Sequence, residues 1–281
     1  RRPARRVTPA ARAPSPVIAS TPRPALGTAS EGCRERVANP PRGVSAQTIS
    51  VGGVTRTYLL SAPERVDSRG APLPLVFAFH GLTGTPTSLR GYLRLEREAA
   101  GQAIFVYPAG QRTRPEPDRG TTRWDLRSEG ADVAFFDALV TRLEHTYCVD
   151  MGRVFAVGHS AGAVVTNEMG CHRGNVLRAI APIAGSGPWA RRCAEAPSVW
   201  VTHGRADDKV AFHYGETTRD RWVTEAACAE APVALDGTTC VRYGGCRGGA
   251  RVDFCVHGGD HGPPPFAPRS IWSFFMSAGA R

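Results

Sequence analysis

The chain has 281 residues, 42% of them hydrophobic, and a formal net charge of +10 at pH 7. That length and apolar share suit one large folded domain with a tail, and no apolar run is long enough to span a membrane. Lys209 is the only lysine and the arginines are spread along the whole chain, so the charge reads as an arginine habit and not as a nucleic-acid patch.

Residues 1–30 are dense in Pro, Ala, Arg and Ser. Such a composition buries too little surface to offset its ordering entropy, so residues 1–46 are expected to be a mostly disordered linker and 47–281 the folded domain. Eight cysteines, Cys33, Cys148, Cys171, Cys193, Cys228, Cys240, Cys246 and Cys255, form an even set without a C-x-x-C pair. They are disulfide candidates and point to an oxidising compartment, extracellular or periplasmic. The chain opens on Arg1 with no apolar signal core, so an export signal is expected to have been removed upstream.

In the domain, QTISVGG and VTRTYLL alternate apolar and polar positions around Gly52-Gly53, a hairpin signal. LPLVFAFHG at 73–81 is a near-continuous apolar run, as expected of a strand buried on both faces. Leu89, Leu93, Glu96 and Ala100 recur at helical spacing, and AIFVYP at 103–108 reads as the next strand. Residues 109–131 form a long irregular connection, followed by a helix over 132–147 with Asp132 as its cap and Val133, Phe136, Leu139, Val140 and Leu143 on one face. VFAVG at 154–158 leads into HSAGAVVTNEM, a helix, and RAIAPIAG and VWVTHG supply two further strands. This alternation predicts an α/β fold: a mostly parallel central sheet with helices on both faces.

Gly158-His159-Ser160-Ala161-Gly162 fits G-x-S-x-G between a strand and a helix. A serine hydroxyl is a weak nucleophile unless a base takes its proton, so it must project from a sharp turn, and bulky neighbours there would strike the backbone. The helix start would aim the Ala161 N–H at a developing oxyanion. Upstream, HGLTG follows the first buried strand, where Leu82 or Thr83 could supply a second N–H. An acid and then a histidine should follow Ser160. THGRADD offers Asp207 and Asp208, and HGGDHGPPP offers His257 and His261, with His257 close to a strand end.

Together the RTYLL strand, PLVFAFHG, VDMGRVFAVGHSAGA, IAPIAG, THGRADDKV and GGDHGPP resemble the polyhydroxybutyrate-depolymerase and feruloyl-esterase group of secreted α/β-hydrolases, related to carbohydrate esterases. The resemblance runs from about residue 47 to the end. It implies an α/β-hydrolase fold, a catalytic set of Ser160, Asp207 and His261, and disulfides among Cys228, Cys240, Cys246 and Cys255 that staple the late region. One departure matters. Many members carry tryptophan and proline soon after the catalytic histidine, whereas Gly262, Pro263 and Pro264 follow here.

Trp124 is a candidate replacement for that aromatic wall, and His80 and His159 are further substrate-binding candidates. The implied reaction is two-step acyl transfer on a feruloyl or acetyl ester of plant polysaccharide, needing no metal or organic cofactor. A zinc site at Cys255, His257 and His261 has the wrong spacing. A polyester depolymerase shares the machinery, and a non-catalytic surface-binding protein on the same fold is the reading of another class. The expected partner is an ester, small or polymer-attached, bound by a monomer, with no nucleic acid.

Overall fold

The computed structural model describes residues 24–34, 37, 39–64, 71–112, 122–125, 127 and 130–278. Strands β1 (Gly43–Val51) and β2 (Val54–Ala62) pair as the expected hairpin, closed at Gly52-Gly53 with both φ angles positive. The apolar runs become β3 (Leu73–Phe79) and β4 (Ile104–Pro108). A short ribbon, β5 (Gln111–Arg112) with β6 (Thr122–Arg123), lies in the connection that follows.

Strands β7 (Val149–His159), β8 (Ala179–Ile183) and β9 (Ser198–Gly204) continue the sheet. Then come β10 (Val233–Ala234), β11 (Cys240–Tyr243) and β12 (Val252–His257). The ten-stranded order is β1-β2-β4-β3-β7-β8-β9-β12-β11-β10. The six strands from β4 to β12 run parallel, with antiparallel pairs at both edges.

Strand alternation sorts the core into two layers. Leu75, Phe77 and Phe79 face one way, against α3 (Ala131–Thr146), α4 (Ala161–His172) and α5 (His213–Glu225), where Phe136, Met169 and Trp222 are buried. Val76 and Ala78 face the other, against α1 (Pro86–Leu93), α2 (Leu95–Ala99) and α6 (Ala267–Ser277), where Leu93, Ile271 and Phe275 are buried. No described helix is long and apolar enough to cross a membrane.

Three expectations shift. The helix read across Leu89–Ala100 is two helices, because Arg94 takes the left-handed region (φ 52°) between them. The break lets the Glu96 carboxylate accept hydrogen bonds from Arg90, from the Tyr107 hydroxyl (2.7 Å) and from the Ser61 hydroxyl (3.0 Å).

Asp132 is not a cap: Gly130 holds that position, and the Asp132 carboxylate is buried against Arg56 Nη2 at 2.5 Å and the Asp125 N–H. Burial pushes its pKa up against the opposing pull of Arg56, so the pair must be satisfied internally, and Arg56 also donates to the Ala109 carbonyl.

The boundary at 47 also moves. β1 starts at Gly43, Cys33 is disulfide-bonded to Cys148, Gly27 N–H donates to the Asp150 carboxylate, and the Ser30 hydroxyl bridges Tyr147 and Val149. Composition counts apolar side chains and misses a segment secured by a disulfide and by polar side chain to backbone bonds. Residues 1–23 of the expected linker lie outside the described residues.

Candidate active site

The sheet delivers Ser160, Asp207 and His261 to one edge, at the carboxyl ends of β7, β9 and β12. That is where open parallel sheets leave a crevice. Ser160 caps α4 with φ 58° and ψ −122°, a conformation that costs a non-glycine residue on the order of 1–3 kcal/mol. Its N–H donates to the Ile183 carbonyl at 2.9 Å and its carbonyl accepts from Ala163 at 2.9 Å, so the backbone is held on both sides while the hydroxyl projects.

Crowding explains the two glycines of the pentapeptide. A Cβ on Gly162 would lie 1.9 Å from the Phe79 carbonyl oxygen, and one on Gly158 would lie 2.2 Å from the Gly162 carbonyl oxygen. Helix α4 is thereby pressed onto the end of β3. Ala161, as the first helical residue, has an N–H with no partner inside the helix.

The segment after β3 closes over Ser160 from the other side. A Cβ on Gly81 would approach the Ser160 Cβ to 3.2 Å, and the turn closes with Gly84 N–H donating to the Gly81 carbonyl at 3.0 Å. Leu82 is 56% exposed at this turn and Thr83 takes φ 62°.

His80 is buried beneath the turn with both ring nitrogens engaged: Nε2 accepts the Gly110 N–H at 3.0 Å and Nδ1 donates to the Gly81 carbonyl at 2.9 Å. Burial lowers its pKa. The ring therefore braces the turn and is closed to a ligand, contrary to its expected substrate contact. Trp124 donates its indole N–H to the His80 carbonyl at 3.1 Å and packs edge-on against Phe79, anchoring the long connection. Its ring also lies 4.9 Å from that of His80.

On the opposite side, His261 Nδ1 donates to Asp207 Oδ2 at 2.8 Å. Asp207 is buried. Burial opposes its charge, but the Val210 N–H, the His261 ring and the Lys209 N–H together outweigh it and hold the carboxyl below the ordinary aspartate range. Asp208 turns outward to Lys209 at 3.1 Å. His257 accepts the Gly259 N–H on Nδ1 at 3.2 Å and shapes the loop that carries His261. Asp207 and His261 are thus brought together, and Asp208 and His257 are not.

His159, expected to touch substrate, instead links the two halves. Its Nε2 donates to the His261 carbonyl at 2.6 Å, tying the His261 loop to the Ser160 turn, and burial lowers its pKa.

Two residues escaped the sequence reading. His203 is fully buried and places Nε2 3.1 Å from Asp207 Oδ2 and 2.8 Å from the Val210 carbonyl. It stands four residues before the acid, so the H-G-x-x-D spacing was its signal. Tyr92, on the face of α1 turned toward the site, sets its ring 5.1 Å from His159. It is 47% exposed and is the aromatic present at the rim. An aromatic eight residues beyond the HGLTG segment, in the helix that follows it, was its signal.

The cysteines pair as Cys33–Cys148, Cys171–Cys193, Cys228–Cys246 and Cys240–Cys255. The last joins β11 to β12 just before the His261 loop and removes Cys255 as a metal ligand.

No family model matches the chain. Feruloyl esterase D of Neurospora crassa is 29% identical over 92% of this chain and 94% of its own length. Feruloyl esterase C of Emericella nidulans is 28% identical over 86% of this chain and 92% of its own length. An acetyl xylan esterase from Aspergillus awamori has a TM-score of 0.64 at 18% identity, covering 83% of this chain and 99% of that one.

The chain is a carboxylic ester hydrolase of the α/β-hydrolase fold, related to feruloyl esterases. A Bacillus cereus carboxylesterase gives the same fold at a TM-score of 0.56 and 14% identity. As an esterase of this type the chain needs one face open to an acyl group, and exposed Leu82 and Tyr92 stand at that mouth.

Proposed function

We propose that Ser160 is the nucleophile of a secreted esterase acting on feruloyl or acetyl groups of plant polysaccharide. The carrying observation is the His261–Asp207 hydrogen bond, in a loop that His159 ties to the strained Ser160 turn. His261 takes the Ser160 proton as the hydroxyl attacks the ester carbonyl, then returns it to the departing alcohol oxygen. Water repeats the sequence on the acyl-enzyme.

Asp207, with its charge stabilised and His203 Nε2 3.1 Å from the same oxygen, holds the imidazole in the tautomer that leaves Nε2 able to accept a proton. The N–H groups of Ala161 and of Leu82 or Thr83 receive the oxyanion, each worth about 3 kcal/mol. The feruloyl preference is supported by the relatives, and release outside the cell by the four disulfides. The ester is the partner in this reading, the chain acts as a monomer, and nucleic acid has no part in it.

Ser160→Ala should lower kcat on methyl ferulate by about 10⁵- to 10⁶-fold with the melting temperature preserved. Hydrolysis surviving in the purified variant would remove Ser160 from the mechanism. Clearing of a polyester suspension without ferulate or acetate release would move the substrate to the depolymerase reading.

A further inference from the structure

Beyond the catalytic edge lies a cleft of about 600 Å³ lined by Arg127, Glu168, His172, Trp189, Arg191 and Arg192. Its walls lead back to Ser160. Glu168 and His172 lie on α4, two to three turns beyond the serine that caps it, so Glu168 is roughly 12 Å along the helix at 1.5 Å per residue. The facing loop begins at Gly185, where a Cβ would lie 2.9 Å from the Ser160 carbonyl oxygen, and runs along the same helix.

That loop is fastened at every stage. The Asn167 side-chain amide donates to the Ser186 carbonyl at 2.9 Å, Trp189 N–H donates to Glu168 Oε1 at 2.5 Å, and Arg221 donates to the Ala190 carbonyl at 2.7 Å. The Cys171–Cys193 disulfide closes it onto α4. Trp189 is nevertheless 66% exposed, so a large flat apolar ring is held out over a polar floor by a loop with little freedom to fold it away.

The floor is Glu168 Oε2 with His172 Nε2 at 3.5 Å, and the rim carries Arg191 and Arg192, with a third arginine, Arg127, already paired to the Asp125 carboxylate at 2.7 Å. An exposed indole face suits the C–H face of a sugar ring, the Glu168–His172 pair suits sugar hydroxyls, and guanidinium forks suit a carboxylate. We propose that this cleft is a subsite for a carboxylate-bearing sugar of the polymer whose ester reaches Ser160. The assignment rests on the polysaccharide-esterase reading and names the acidic chain as its substrate class.

The test is calorimetry on the Ser160→Ala chain with two probes of equal length: a glucuronate-substituted xylo-oligosaccharide and the unsubstituted one. The substituted probe should bind at least tenfold more tightly, Trp189→Ala should weaken both by about tenfold, and Arg191→Ala with Arg192→Ala should erase the preference. Melting temperatures of the variants report folding. Equal affinities, no binding of either probe, or affinities untouched by Trp189→Ala in a folded chain would overturn the proposal. Methyl ferulate hydrolysis by the unaltered chain is read separately, so a failure of the ester reading is not mistaken for a failure of the subsite.

Discussion

The two halves of the site are held by different physics. The Ser160 turn is positioned by crowding: a positive φ, glycines pressed onto neighbouring carbonyls, and a helix driven against the end of β3. The Asp207–His261 half is positioned by hydrogen bonds: one joins the two side chains across 54 positions of sequence, two backbone N–H groups hold Asp207, and His159 holds the His261 carbonyl. A sterically held residue has no graded way to fail, whereas a hydrogen-bonded one loses function in steps as donors are removed.

The sharpest break in that comparison is Asp207→Asn. The amide keeps the shape but favours the wrong imidazole tautomer, and kcat should fall by about 10⁴-fold with stability little changed. A loss below tenfold would mean that His203 and the loop alone orient His261. On the crowded side, Gly162→Ala puts a methyl on the Phe79 carbonyl, and the expected cost exceeds about 4 kcal/mol, read as loss of cooperative urea unfolding. A stable, active Gly162→Ala chain would show that the helix can withdraw.

Next in size, Cys240→Ala with Cys255→Ala opens a loop of sequence separation 15 beneath the His261 segment and should cost about 3 kcal/mol. Ester turnover should fall more than in a Cys228→Ala, Cys246→Ala chain if the hydrogen-bonded half depends on that strut. The smallest effect is pH dependence. Burial lowers the His80 and His159 pKa values, so the unfolded chain binds more protons and stability, complete above about 6.5, declines as the pH falls below it. Each group contributes a slope of at most about 1.4 kcal/mol per pH unit, and His80→Gln should flatten the difference between urea midpoints at pH 7.5 and 5.

The unequal legibility of the two halves follows from the same physics. The G-x-S-x-G pattern between a strand and a helix marked Ser160 because the demand for small residues falls on one contiguous pentapeptide, even though the carbonyl that crowds Gly162 belongs to Phe79 on another strand. His80 misled for a different reason: a histidine in the turn after β3 reads alike whether its nitrogens are free or bound to Gly110 and Gly81. Trp124 likewise reads the same as a wall or as an anchor.

By itself, then, the sequence determined the parallel sheet, through apolar runs that can be buried only on both faces, and the Ser160 turn, through the two glycines that flank it in one contiguous pentapeptide. Resemblance, and not local pattern, pointed to Asp207 over Asp208 and to His261 over His257. Only the tertiary structure set one carboxylate against one imidazole and turned the others away, paired eight cysteines, drew residues 25–33 onto β7, and left Tyr92 and Trp189 exposed. Those outcomes depend on contacts between residues far apart along the chain, which no local pattern of side chains encodes.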